Sequence, residues 1–375
     1  MVHSLWTARS FHAEPHLAVV GGGLVGLFGA LHYKRRHPHH HVLVLEAGAF
    51  PNGASVRNAG FACFGSPGEL LSDIAGEGED AALARVQERW LGLGELRREL
   101  GDGPIGFDPC GGYELFRDHA PLYTSVLEGF DRLNQLLGPV FGEHPYRVVD
   151  KGSSELAGMH VGAAIHTHLE GSVDSGALIH SLLRKVQGEG VLYRGGAQVV
   201  RMTETPGGME LGLADGTVIV AGQVLLATNG YTKDLMPDLD VWPARGQVLL
   251  TAPVEGPLPK GTFHLDEGYY YFRNWNGGIL LGGGRHLDKT GETTLEEGTS
   301  PVIQQALETL LREVILPDRE FTIERRWSGV MGFGSQGKEP LVERLGDRIV
   351  TAVRLSGMGV AIGPRVARRA VELLG

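Results

Sequence analysis

Residues 17–26 read Leu-Ala-Val-Val-Gly-Gly-Gly-Leu-Val-Gly, and residues 42–46 read Val-Leu-Val-Leu-Glu. The apolar run from His16 to Gly21 has strand character and breaks into glycines. A helix is expected from Leu24 to about His37, where Pro38 ends it. Val42–Glu46 forms a second strand with β-branched residues. Strand, helix and strand make a βαβ unit of about 30 residues, the repeating piece of a buried parallel sheet. Gly21, Gly23 and Gly26 set a G-x-G-x-x-G turn between the first strand and the helix. The first glycine makes the tight turn, the second lets the backbone reach a pyrophosphate, and the third lets helix and strand pack closely. Glu46 stands 20 residues beyond Gly26 at the end of the next strand, where a carboxylate accepts ribose hydroxyls. An acid there disfavours a 2′-phosphate, so the dinucleotide is FAD or NAD rather than NADP.

The 375-residue chain fits two domains, or one domain with a large insertion. Its 42% hydrophobic and 21% charged residues are ordinary globular values. The 57 glycines cluster at tight turns, which suggests close approach of backbone to a ligand. A formal charge of −10 without a Lys/Arg stripe argues against a nucleic-acid partner. No apolar run is long enough to span a membrane, and the first residues lack a signal-peptide core. Cys63 and Cys110 are too few for a disulfide framework or a thiolate metal site, so a reducing, cytoplasmic setting is expected. His39–His41 read as a solvated turn, and no metal is expected. Composition leaves the oligomeric state open.

Further along, residues from about Asp80 to Leu100 are apolar at helical spacing, and Gly111–Phe116 has strand character. Pro121–Leu137 is expected to be helical, as is Leu178–Val186, with Asp174 suited to an N-cap. Gln223–Ala227 reads as a buried strand ending in Thr-Asn-Gly. Gln247–Ala252, Tyr269–Arg273 and Gly278–Gly282 are strand candidates for a second sheet, and Pro301–Ile315 is helical. The chain closes with a strand, Asp347–Val353, a glycine turn, and a helix from about Pro364. Elements of the nucleotide unit thus return late, which predicts two interleaved domains.

Directly after Glu46 and Ala47, residues 48–61 read GAFPNGASVRNAGF. Gly53, Ala54, Ser55, Arg57, Asn58, Ala59, Gly60 and Phe61 resemble the segment that runs along the pyrophosphate to the flavin ring in the D-amino-acid oxidase superfamily, which includes glycine and sarcosine oxidases. Ala227-Thr228-Asn229-Gly230 and Ser356-Gly357-Met358-Gly359-Val360 are similar to that family's strand-end turn and C-terminal flavin loop. The resemblance implies non-covalent FAD held by Gly21, Gly23, Leu24, Val25, Gly26, Glu46, Ala47 and these three stretches, with Val199 at the adenine end. It places Arg57 against the diphosphate charge. N–H groups at the start of the last helix would face the negative pyrimidine end of reduced flavin. The implied fold is α/β: a Rossmann-type FAD-binding domain of residues 15–64, 152–235 and 337–375. An α+β substrate domain of residues 65–151 and 236–336, on a mixed or antiparallel sheet, is interleaved with it.

For the substrate side the resemblance implies aromatic residues and an Arg that clamps a carboxylate. The candidates are Tyr269, Tyr271, Arg273, Arg285 and His286. On a strand, Tyr269, Tyr271 and Arg273 share one face. One departure stands out: Trp327-Ser328-Gly329-Val330-Met331-Gly332 has Met331 where glycine-oxidase-type enzymes carry Arg, and a thioether cannot replace a guanidinium fork. Cys63 is expected to be a buried small hydrophobe rather than a flavin attachment point. The expected activity is hydride transfer from a small amine or amino acid to flavin, the imine then being hydrolysed. One alternative is a 2-hydroxy-acid dehydrogenase with His286 or His264 as base. Another is a non-catalytic FAD-binding subunit.

Overall fold

The structure is a computed structural model describing residues 4–150, 152–156 and 158–375. Leu17–Val20, the helix Leu24–Arg36 and Val42–Leu45 form the expected βαβ unit, with Leu17 beside Val42 in parallel register. Gln223–Leu226 and Ile349–Val353 extend the parallel sheet on one side, and Leu192–Arg194 on the other. Leu341–Arg344 closes one edge antiparallel.

Strand alternation gives this sheet two cores. Leu17 and Val19 face the helices Leu24–Arg36, Ser175–Gly188 and Gly359–Leu374. Ala18 and Val20 face a three-stranded antiparallel sheet of Val199–Thr205, Gly208–Leu213 and Val218–Ala221. Asp174 caps its helix, its side chain accepting the Ala177 N–H at 2.9 Å. Gly26 is where the turn tolerates nothing larger: a Cβ there would lie 2.0 Å from the Gly21 carbonyl oxygen.

The second sheet has eight strands, in the order Ile323–Phe333, Trp242–Thr251, Gly278–Gly283, Tyr270–Trp275, Thr262–Leu265, Gly112–Phe116, Ala163–Thr167 and Arg147–Val149. All neighbours are antiparallel except Thr262–Leu265 with Gly112–Phe116, so the sheet is mixed. The helix Pro301–Leu310 covers one face, through Ile303 and Leu307.

Three expectations need correction. The strand Ala163–Thr167 pairs with Gly112–Phe116, so the stretch from 152 begins in the second sheet rather than in the nucleotide unit. The adjoining boundary residue, 151, lies outside the described residues. The helix Glu79–Leu100, placed with the substrate domain by its position in the chain, buries Leu93 and Leu96 in the nucleotide core against Val366 and Ala367. Arg365–Glu88 (3.0 Å) and Arg368–Glu95 (2.5 Å) tie it to the last helix. That last helix begins at Gly359 rather than near Pro364, because its first turns pack under Leu24 and Val25 despite the proline.

Candidate active site

The nucleotide end is built from backbone. Glu46, just past its strand, accepts the Gly22 N–H on Oε2 at 2.8 Å and the Gly48 N–H on Oε1 at 3.1 Å. Each oxygen keeps a lone pair for a further donor. The helix Leu24–Arg36 has Gly23 as its N-cap, with no side-chain cap of its own. Ser55 Oγ instead receives the Leu24 N–H at 3.0 Å, fastening the short helix Ala54–Arg57 to this turn. Asn58 locks the end of that short helix: its amide donates to the Ala54 and Ser55 carbonyls, and its Oδ1 accepts from Gly60 N and Ser175 Oγ.

From here one cavity of about 500 Å³ runs between the two sheets. One wall carries Gly23, Leu24, Val25, Ala54, Ser55, Arg57, Asn58, Ala59 and Phe61. The turn after Leu226 adds Ala227 and Asn229, and the C-terminal turn adds Ser356–Ala361. Asn229 Oδ1 accepts the N–H groups of Arg354 and Leu355, joining those two turns. Gly357 has φ +86°, a conformation that costs a residue with a side chain. Tyr269, Tyr271, His264, Arg285, Met331 and Phe333 come from the second sheet and its loops.

Comparison with known proteins decides what this architecture is. The family model "FAD dependent oxidoreductase" matches residues 16–373. The chain belongs to the FAD dependent oxidoreductase family. A curated relative, the bifunctional protein ThiO/ThiG of Synechocystis, is 24% identical over 273 residues, covering 70% of this chain and 38% of that protein. The chain thus spans well under half the length of that relative. Among solved structures it is similar to glycine oxidase from Geobacillus kaustophilus (TM-score 0.76, 19% identity, 96% and 94% of the two chains). It is also similar to L-proline dehydrogenase from P. horikoshii (0.75, 17%, 96% and 93%). A third is iminodiacetate oxidase from Chelativorans sp. (0.73, 21%, 95% and 95%). At these identities the solved structures establish the fold.

The residues of this FAD dependent oxidoreductase fit the cofactor. The open helix N-terminus suits an anion, and the lined cavity leads from it to the start of the last helix; Glu46, which lies outside that lining, offers two acceptor oxygens across the glycine turn. Gly21, Gly26, Gly60, Thr228 and Gly230 are not part of that lining, and Gly21 and Gly60 take the positive φ of their turns. Val199 is buried at the start of its strand against Leu213, in the core between the sheets rather than on the cavity wall.

Arg57 is committed elsewhere than the diphosphate. Its guanidinium donates to Asn52, to the Ser328 carbonyl at 2.9 Å and to Glu297, clamping the 52–57 loop onto the strand Ile323–Phe333. Arg273 is 6% exposed and donates to the Val173 carbonyl at 3.0 Å behind Gly60, so it does not reach the cavity. His286 also lies off the lining, packed on Tyr269 and Tyr270 with centroids 4.6 and 5.4 Å apart. Tyr271 and Arg273 keep the shared face that strand alternation predicts, both meeting the 60–61 segment, but Tyr271 packs on Phe61 in the cavity while Arg273 ends behind Gly60.

Arg285 stays in the cavity. Its guanidinium lies 4.6 Å over the Phe333 ring, with no hydrogen bond or ion pair among the described residues. Burial weakens its hold on its proton. Burial also pushes the Tyr271 hydroxyl up to about 12 and His264 down to about 4, so His264 is neutral. Phe61 meets both rings edge-on at 5.7 and 5.0 Å. Cys63 lines the cavity and is half-buried, with its thiol pushed up to about 12 by burial, which disfavours the thiolate.

Sequence reading missed Glu69, Asp73, Arg89 and Lys338, which line the far end. One signal was available. Ser66-Pro67-Gly68-Glu69 is a helix start, with Ser66 as N-cap, and it comes directly after the flavin segment. No group of three His, Cys, Asp or Glu among the described residues is placed to hold a metal ion. The His-rich turn forms a ring stack instead, with His40 against His16 and His37 at 4.2 and 4.7 Å. No described helix is long and apolar enough to cross a membrane.

Proposed function

We propose that this enzyme oxidises a small amine or amino acid at the carbon bearing nitrogen, giving an imine that water hydrolyses. The observation that carries this is Arg285: a guanidinium held in the cavity over Phe333, with no protein partner among the described residues. A partly buried cation with no ion pair of its own, near only a Glu292 already paired with Arg245, suits an anion, and a substrate carboxylate matches its fork. Arg285 would take the role that Met331 cannot. The three solved relatives are named for oxidising or dehydrogenating glycine, proline and iminodiacetate, and each of these carries an amine and a carboxylate.

FAD, held non-covalently, supplies the two-electron acceptor. Gly23–Val25 would hold its pyrophosphate, Glu46 its ribose, and Gly357–Val360 the pyrimidine end of the flavin. The protein's own task is placement. Tyr271 and Phe61, packed edge-on, would give a wall that excludes water, which favours the neutral amine that can lose a hydride. His264, neutral and facing the same space, is the remaining base for the 2-hydroxy-acid alternative, since His286 lies off the cavity lining.

The test is anaerobic addition of D- and L-amino acids, sarcosine and simple amines to the purified yellow protein. The expected result is loss of the visible flavin band with at least one of them. Bleaching by 2-hydroxy acids alone would overturn the proposal.

A further inference from the structure

The cavity has an ionic end that oxidation of a simple amino acid does not use. Glu69 and Asp73 sit four residues apart on the helix Pro67–Glu77, hence on one face, and both line the cavity with His264 and Lys338. Glu69 Oε1 pairs with Arg89 Nη1 at 3.0 Å and with Lys338 Nζ at 3.6 Å, while Asp73 Oδ1 pairs with Lys338 Nζ at 2.6 Å. The two cations differ in freedom. Arg89 is 4% exposed and also donates to the Cys63 carbonyl. Lys338 stands on the loop between the strands Ile323–Phe333 and Leu341–Arg344, with a third of its side chain in solvent.

Two buried atoms at this end lack a hydrogen-bond partner: Asp73 Oδ2 and His264 Nε2. Their residues are 5% and 8% exposed. Arg85 approaches Asp73 Oδ2 only to 3.9 Å and gives its hydrogen bonds to Glu77. A carboxylate pair with a single movable cation, a carboxylate oxygen without a donor and an imidazole nitrogen without a partner make a site short of N–H groups. An ammonium carries three.

We infer that the Glu69–Asp73 end binds a second, distal ammonium group of the substrate in place of Lys338, so that the preferred substrates are diamines or amino acids with a basic tail. The inference rests on the amine-oxidation reading above. The exchange is one cation for another: the carboxylates keep their counter-charge and Lys338 swings out along its exposed side. A carboxylate tail would instead set a third negative charge beside Glu69 and Asp73.

The test uses the FAD-loaded enzyme and probe pairs differing only in the terminal ammonium: lysine against norleucine in both enantiomers, and diaminobutane against butylamine. Anaerobic flavin reduction is expected to favour the dicationic member by about tenfold or more in kcat/KM. Asp73→Asn should collapse that ratio towards one, and Lys338→Met, which removes the internal competitor, should lower the KM of the dicationic member several-fold. Equal ratios in the unaltered enzyme, or a ratio unmoved by both substitutions, would overturn the inference. If no amine bleaches the flavin, the amine-oxidation reading fails, and the subsite is read by thermal melting. Diaminobutane should then raise Tm saturably where butylamine does not, and less so in Asp73→Asn; the absence of that difference would overturn the inference on its own.

Discussion

Glu46 and Gly22 are joined across the nucleotide turn: the Gly22 N–H donates to Glu46 Oε2 at 2.8 Å, while the other oxygen takes the Gly48 N–H. One carboxylate thus fixes both the glycine turn and the start of the segment beyond the second strand. Glu46→Gln sets an amide NH2 against one of these two donors. FAD affinity is expected to fall by roughly 10- to 100-fold, since a hydrogen bond to a charged group is replaced by an unmet donor. Fluorescence titration of apoprotein with FAD reads this directly, and unchanged affinity would remove Glu46 from the cofactor site.

Arg285 is expected to separate carboxylated from plain substrates. Arg285→Met should raise KM for a reactive amino acid by about 100-fold, the scale of a lost charge-assisted pair, while Arg285→Lys recovers only part of it. Steady-state kinetics on an amino acid and its decarboxylated amine supply the comparison. Equal effects on the two would deny Arg285 the carboxylate.

Two buried carboxyls make stability depend on pH in an unusual direction. Burial raises Glu114 to about 8, although Gly68 N donates to it, and Glu170 to about 7, although Phe64 N and Gly65 N donate to it. A folded pKa above the unfolded value means that the native state binds the extra proton. The resulting stability is complete below about pH 4 and is lost as pH rises through 7 to 8. The slope approaches 1.4 kcal/mol per pH unit for each proton. Melting temperature should therefore fall between about pH 5 and pH 8 and level off above that, and Glu114→Gln should flatten the fall. A Tm that rises across that range would contradict the assignment.

Gly92 reverses an ordinary rule. In the middle of a helix, Gly→Ala stabilises by up to about 1 kcal/mol. A Cβ at Gly92 would stand 2.0 Å from the Ala361 carbonyl of the last helix, so Gly92→Ala is expected to destabilise by about 2 kcal/mol or more. At Gly94, two residues on, a Cβ meets only the flexible end of Arg98 at 3.2 Å, and Gly94→Ala should be neutral or stabilising. Denaturant unfolding of the two variants compares them on one helix.

The nucleotide half was legible because its signals are local. Strand, glycine turn, helix and acid lie within the 30 residues from Leu17 to Glu46, and each does its work through backbone geometry that residue type dictates. The same holds for Ala54–Phe61 and Ser356–Val360, short segments whose small residues permit close approach. The substrate wall was legible only in part. Tyr269, Tyr271 and Arg285 reach the cavity, but Arg273, held by the Val173 carbonyl, and His286, on the short helix Arg285–Asp288, do not, because contacts with segments distant in sequence decide where each side chain ends.

By itself the sequence determined the dinucleotide turn, the acid at the end of the second strand and the late return of the chain to the first sheet, since each depends on contacts between near neighbours or on residues that alone fit a turn. Only the tertiary structure decided that Arg57 clamps a loop, that the helix Glu79–Leu100 joins the nucleotide core, and that Glu69, Asp73 and Lys338 meet His264 at one end of the cavity. Those residues stand up to 269 positions apart, from 69 to 338. Long-range packing sets the distances between their charges, and no local pattern encodes that distance.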